Sequence, residues 1–355
     1  MVDADSDRRG LEDLAAKVRA LRSVATYAEH PADVETIETH FAWVVLVGDR
    51  AYKLKKPVDV PGMDLRTLDA RRQSCAEELR LNRKLAPDVY LDVVPLVRAA
   101  DATLHVGGEG AVVDWLVCMR RLPAALMLDR AIVAGTVPVA KLMAVGAMLA
   151  HFYSTQPRMA FEPDQYVERI TGQIHADRHA LFAPELHLDA RCIQAALTAT
   201  WCAAALIESE LGQRAREGRI REAHGDLRPE HICLSDPPSI IDSLEFSQDL
   251  RTLDPAEELA FLWVECEQAG SVQPAATVLQ SYRQASGDPV SERLLDFYRS
   301  RRAMTRAKII AWHLQDPAVT SLAPWRELAH GYLATAERYA RRVVGTDLCA
   351  GMGDA

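Results

Sequence analysis

His224, Gly225 and Asp226 form a turn tripeptide, and Asp242 stands sixteen residues after Asp226. Between the aspartates, Ile232 to Leu234 and Ser239 to Ile241 flank the turn residues Ser235-Asp236-Pro237-Pro238. Two short apolar runs around such a turn predict a β-hairpin with a loop of about four residues. A turn carboxylate and a second one just beyond a hairpin suit phosphoryl transfer. One orients an attacking hydroxyl and accepts its proton; the other holds Mg²⁺ against nucleotide phosphates. Asp226 is the expected catalytic group, with His224 beside it, and Asp242 the expected metal ligand, with His231 nearby. A different chemistry is open to the same residues, because His224, Asp226, His231 and Asp242 are types that bind zinc or iron.

Such a site needs a cation for the phosphates and an acid to hold that cation. The strand expected over 51–56 follows a Gly48-Asp49 turn signal, after strands expected over 34–40 and 42–47. Alternation puts Ala51, Lys53 and Lys55 on one face. A small residue two places before a lysine lets a base approach while the lysine reaches phosphates. Lys53 fits that place best and Lys55 is the fallback; an exposed edge strand with solubilising lysines is the plain alternative. The turn Thr39-His40-Phe41-Ala42 would cover phosphates with backbone N–H groups, since no G-x-G-x-x-G precedes the strand. A helix is predicted over 67–85, with Thr67 as N-cap, Asp69 in the first turn and Ala86-Pro87 as its stop. Glu78, on its apolar flank, is preferred to Glu77 as the lysine's partner. Strands are expected over 93–99, 103–106 and 112–119. The last leads into Arg120-Arg121-Leu122-Pro123, a hinge centred on Met119 whose backbone would bind a base edge.

Composition narrows the class. The chain has 355 residues, 49% hydrophobic and 26% charged, enough for two lobes and a sizeable core. A net charge of -9 argues against nucleic-acid or anionic-membrane binding as a main role. The acidic opening offers no apolar signal run, and the longest apolar run, 137–153, is interrupted by Lys141. Seven cysteines without a Cys-x-x-Cys pair fit reduced thiols and a cytoplasmic location. Helices are expected over 8–29, 138–153 and 195–211, from Asp254 onward, and from Ser291 to Val344. Arg299, Arg301, Arg302, Arg306 and Lys308 make either a solvated face or a hold for an anionic substrate. The last ten residues, 346–355, read as a loose tail.

The H-G-D-L-x₃-H run, the hairpin and the I-D-S-L-E stretch resemble the kinase-like aminoglycoside phosphotransferases. In that family the loop reads H-G-D-L-x₃-N, so His231 replaces an Asn. The resemblance implies an α+β, two-lobed, protein-kinase-like fold: a helical flank over 1–30, an antiparallel-sheet N-lobe over 31–119 and a helical C-lobe over 120–345 that carries the loop 223–246. It also implies an ATP-dependent phosphotransferase with Mg²⁺, Mn²⁺ being possible, acting on a small-molecule hydroxyl. Lys53, Glu78 and Met119 would meet the nucleotide. A nucleotide-binding regulator with weakened catalysis is the alternative, for which His231 is the evidence. A protein kinase is disfavoured by the lack of D-F-G and A-P-E. E-T-H-F-A-W-V-V-L, A-Y-K-L-K-K-P-V, E-E-L-R-L-N and Y-L-D-V-V-P resemble a bacterial branch often fused to a P-loop domain. No G-x₄-G-K-[ST] occurs here, so a P-loop partner, if one is needed, is expected to be a separate protein.

Overall fold

The computed structural model describes residues 4–60, 62–315 and 321–345. Helix α1 (Ala4–Leu21) precedes strands β1 (Val34–Glu38), β2 (Ala42–Val47) and β3 (Arg50–Lys55). A small pair, β4 (Asp59–Val60) and β5 (Met63–Asp64), leads to α2 (Leu68–Asn82). Strands β6 (Tyr90–Arg98), β7 (Leu104–Val106) and β8 (Ala111–Arg120) complete a six-stranded antiparallel sheet of order β1-β2-β3-β8-β6-β7. Helices α3 (Leu128–Ala134), α4 (Val139–Thr155), α5 (Pro163–Leu181) and α6 (Ala190–Arg216) follow. Then come β9 (Arg221–Glu222), the hairpin β10 (Ile232–Cys233) and β11 (Ser239–Ile240), α7 (Gln248–Arg251) and β12 (Thr252–Leu253). Helices α8 (Pro255–Gln268), α9 (Gln273–Ser286), α10 (Glu292–Trp312) and α11 (Ala323–Val344) finish the described chain.

Two compact units result: Met1–Arg130 with His231–Leu250, and Ala131–Glu230 with Arg251–Ala355. This division differs from the sequence reading, which kept residues 223–246 whole within the helical lobe. The first helix also begins earlier than expected and ends at Leu21, and the helix read from Ser291 to Val344 is two helices, α10 and α11. The tail 346–355 lies outside the described residues.

In the first unit strand alternation sorts the side chains onto two faces. Tyr52, Leu54, Leu116 and Cys118 point to one face and pack with Val18 and Leu21 of α1. Ala51, Val117 and Met119 point to the other and pack with Cys75 of α2 and with Tyr90. Helices α1 and α2 share an anchor: Lys17 and Arg71 each donate to Asp114 of β8 at 2.8 Å, all three being buried. Thr67 caps α2 by accepting from the Ala70 amide, as its sequence position predicts. The second unit is helical, with α6 packed among α5, α10 and α11. By length and composition alone α6 could cross a membrane, but its apolar stripe, Ile193, Leu197, Ala203, Ile207 and Leu211, is buried.

Candidate active site

The first unit gathers a chain of charges on the α2 face of the sheet. Lys53 Nζ donates to Glu78 Oε1 at 2.9 Å and to Asp242 Oδ1 at 2.6 Å. Lys55 Nζ donates to Glu78 Oε2 at 2.6 Å and also to Glu245. Glu78 is fully buried and takes one lysine on each oxygen. Glu77, one residue away, points outward and pairs with Arg80. Burial alone would lower both lysines, but the carboxylates of Asp242 and Glu78 hold Lys53 well above its ordinary value, and Glu78 and Glu245 raise Lys55. Burial would raise Glu78 and Asp242, but the lysines overcome it and both acids are lowered, Asp242 with help from His231. Lys53, Lys55, Glu78 and Asp242 therefore carry their charge near neutral pH.

Lys53 and Asp242 also line a cleft of about 860 Å³ in this unit. Its apolar wall includes Val44, Leu46, Ala51, Met119 and Ile241. Lys55 is buried behind it and does not line it. The geometry thus separates two lysines that alternation alone left equivalent. At the hinge the expectation changes. Met119 is paired with both Ala51 and Tyr90 inside the sheet, and the next two amides, of Arg120 and Arg121, donate to Val89 and Asp49 carbonyls at 2.8 Å. Met119 lines the cleft from within the ladder, and β8 ends at Arg120.

Asp242 follows the predicted hairpin and adopts φ 66°, a left-handed conformation that a non-glycine residue keeps only when its surroundings hold it. Its amide donates to Tyr90 Oη at 3.1 Å, and the Ser243 amide donates to Asn82 Oδ1 at 2.9 Å. Asn82 and Tyr90 are fully buried and were not singled out as site residues. A signal for Asn82 existed: it lies one helical turn after Glu78 and so shares its face. Nothing in the sequence marked Tyr90 beyond its place in Y-L-D-V-V-P. Burial, with Glu78 and Asp242 nearby, pushes the Tyr90 hydroxyl well up and keeps it protonated. His231 Nε2 lies 3.7 Å from Asp242 Oδ2.

The second unit shapes the His-Gly-Asp turn differently. Gly225 has φ 90°, which side-chain-bearing residues rarely adopt. The amides of His224 and Gly225 both donate to the buried carboxylate of Glu258, near the start of α8, and Tyr153 Oη donates to the same group at 2.6 Å. Asp254 caps α8 by accepting from the Ala256 amide, as the acidic start of that helix predicts. His224 is fully buried, and its Nδ1 accepts from the Asp226 amide at 3.2 Å. It braces the loop from within, whereas it was expected to be a catalytic group. The Asp226 side chain keeps 25% of its exposure and faces Arg228 at 3.9 Å. Arg228 is held by Glu230 and Glu265, and Glu265 also takes Arg306 at 3.1 Å and Tyr332 at 2.7 Å.

The arginine run of α10 matches neither of its sequence readings. Arg299, Arg301 and Arg302 are buried, so the helix face is not solvated. Nor are they open to an anion: Arg299 bonds Asp296 and lies over Trp263, Arg302 pairs with Glu257 at 3.0 Å, and Lys308 pairs with Asp177. The transition-metal reading also fails, since no group of three or more His, Cys, Asp or Glu side chains among the described residues is arranged to hold an ion. A Mg²⁺ site makes a smaller demand, one or two carboxylates plus phosphate oxygens. Asp242, 43% exposed and on the cleft wall, fits that demand.

Solved structures share this architecture. A choline/ethanolamine kinase family protein from Mesorhizobium loti superposes with a TM-score of 0.53 at 13% identity, over 92% of this chain and 99% of that one. The chain shares its fold with this choline/ethanolamine kinase family protein and with an aminoglycoside phosphotransferase of solved structure. An ethanolamine kinase from Plasmodium vivax gives 0.51 at 11% identity, over 86% and 81% of the two chains. Aminoglycoside 2'-phosphotransferase-IIIa, solved as its GDP complex, gives 0.50 at 15% identity, over 87% and 93%. By sequence, the chain is 32% identical over 286 residues to the uncharacterized protein Rv2004c of Mycobacterium tuberculosis and, to the same extent, to the uncharacterized protein Mb2027c of Mycobacterium bovis. The match takes in 78% of this chain, which spans about half the length, 54%, of those curated relatives. No family model matches the chain.

Proposed function

We propose that this chain is a phosphotransferase that moves the γ-phosphoryl group of ATP to a hydroxyl of a small molecule. The observation that carries the reading is the Lys53–Glu78–Asp242 chain on the wall of an apolar cleft. An apolar slot ending in a fixed cation and a metal-binding carboxylate suits a base at one end and phosphates at the other. Ala51 keeps the slot open, Lys53 holds phosphate oxygens, and Glu78 holds Lys53. Asp242 would hold Mg²⁺, with His231 beside it. Bound Mg-nucleotide supplies the transferable group and neutralises its charge. Asp226 takes the acceptor's proton, its carboxylate left accessible because Glu258 and His224 hold the loop by its backbone. The six described cysteines are all free, in keeping with a reducing compartment such as the cytoplasm.

One observation favours a second reading, a nucleotide-binding regulator with weak transfer. His231 supplies an imidazole 3.7 Å from Asp242, where an amide oxygen would suit Mg²⁺ better. ADP release from MgATP across a panel of hydroxyl compounds separates the two. Turnover above the no-acceptor rate, lost in Asp226→Asn, supports transfer. Nucleotide binding without acceptor-dependent turnover overturns it in favour of the regulator.

A further inference from the structure

Lys55 is not used by the function just proposed, yet it is among the most enclosed cations in the chain, 2% exposed. It sits between Glu78 of α2 and Glu245, three residues after Asp242. Ser74, also on α2, donates to Glu245 at 3.4 Å. Phe246 lies next, its ring 6.4 Å from that of Phe41 at the β1–β2 turn. With Tyr90 holding the Asp242 amide and Asn82 the Ser243 amide, the segment 242–246 is fastened to the sheet and α2 at Asp242, Ser243 and Glu245. Of these fastenings, Lys55–Glu245 is a direct ion pair between the segment and β3.

We propose that Lys55 is a positioning residue: through Glu245 it locks the segment bearing Asp242 to the strand bearing Lys53. This rests on the phosphotransferase reading only for what the lock serves. Lys53 has two carboxylates and one ammonium, so turning it toward phosphates withdraws it from Asp242 or Glu78. Lys55 then remains as the counter-charge of the buried Glu78 and as the tie on Glu245, so the loop need not move when Lys53 does. A buried carboxylate stripped of its partners would be strongly destabilised. The second lysine thus lets the first change partners.

The test uses the whole chain. Hydrogen exchange of the Asp242 and Ser243 amides in ligand-free protein reports the lock directly. In Lys55→Met and in Glu245→Gln both amides are expected to exchange about tenfold faster or more, with no further gain in the double variant. Lys55→Arg should restore slow exchange. MgATP affinity by calorimetry should fall in the same variants and recover in Lys55→Arg. Exchange within about twofold of wild type in a folded Lys55→Met variant overturns the inference. Should Lys55→Met fail to melt cooperatively, Glu245→Gln decides, since it leaves Lys55 bonded to Glu78. A wild type that binds no MgATP would overturn the phosphotransferase reading, and the exchange results alone then decide whether the lock exists.

Discussion

Two buried glutamates organise the two units, and they do so in different ways. Glu78 accepts from side chains, one lysine per oxygen. Glu258 accepts mainly from backbone, the amides of His224 and Gly225, with Tyr153 adding a hydroxyl. The first arrangement holds mobile charges whose partners can be exchanged for a ligand's. The second fixes the main-chain shape of the turn that leads into Asp226.

Removing the Asp226 carboxylate should break function and leave structure. Asp226→Asn is expected to lower transfer by about 10²–10⁴-fold, the range for a lost general base. Melting temperature and MgATP affinity should stay at wild-type values. A variant within about threefold of wild type, under roughly 0.7 kcal/mol, would show that Asp226 is not the base.

Removing the organising charge in the first unit should do the reverse. Glu78→Gln leaves two buried lysines short of a partner, and breaking a buried pair costs about 3–5 kcal/mol. Chemical denaturation measures it. Glu258→Gln keeps a carbonyl oxygen for the amides and should cost less, about 1–3 kcal/mol. Equal losses would erase the distinction between the two glutamates.

The pH dependence sharpens the same contrast. Glu78 lies below its ordinary 4.5 in the folded protein, so its stabilisation is present above 4.5 and is lost as pH falls through the folded value. Lys53 and Lys55 lie above their ordinary 10.5, so their stabilisation is present below 10.5 and is lost as pH rises through their folded values. The stability gap between wild type and Glu78→Gln should therefore be flat between about pH 5 and 10 and shrink on the acid side. A gap that grows on acidification would show that Glu78 is protonated in the folded state.

What the sequence revealed divides along the same line. Strand alternation placed Ala51, Lys53 and Lys55 on one face, and the helix flank picked Glu78 over Glu77, because both follow from local periodicity. The hairpin before Asp242 was legible from its turn residues. The small Ala51 favoured Lys53 over Lys55 for the cleft, but the burial of Lys55 between α2 and the 242–246 segment left no local sign. His224 looked catalytic from its type and neighbours, and only its complete burial shows it bracing the turn. Arg302, Arg306 and Lys308 of α10 looked like a surface stripe because their partners, Glu257, Glu265 and Asp177, lie 41 to 131 residues away in sequence. Long-range ion pairs leave no local trace.

The smallest expected effect concerns His231. Its imidazole lies 3.7 Å from Asp242 Oδ2, on the opposite oxygen from the one Lys53 holds at 2.6 Å. Asp242 is therefore engaged on both oxygens, by an ammonium and by an imidazole. A neutral imidazole offers nitrogen, which suits Mn²⁺ and later metals more than Mg²⁺. A protonated one repels any metal and instead pairs with the carboxylate. In His231→Asn an amide oxygen takes its place, and Mg²⁺-supported turnover should rise by about two- to tenfold, up to roughly 1.4 kcal/mol, or the Mg²⁺ needed should fall. Wild type should work at least as well with Mn²⁺ as with Mg²⁺. Metal titrations of both proteins at fixed ATP and two pH values test this. An Asn variant that is weaker with both metals would mean that His231 holds Asp242 in its left-handed conformation, a positioning role, and that the carboxylate needs the imidazole more than the metal needs an oxygen.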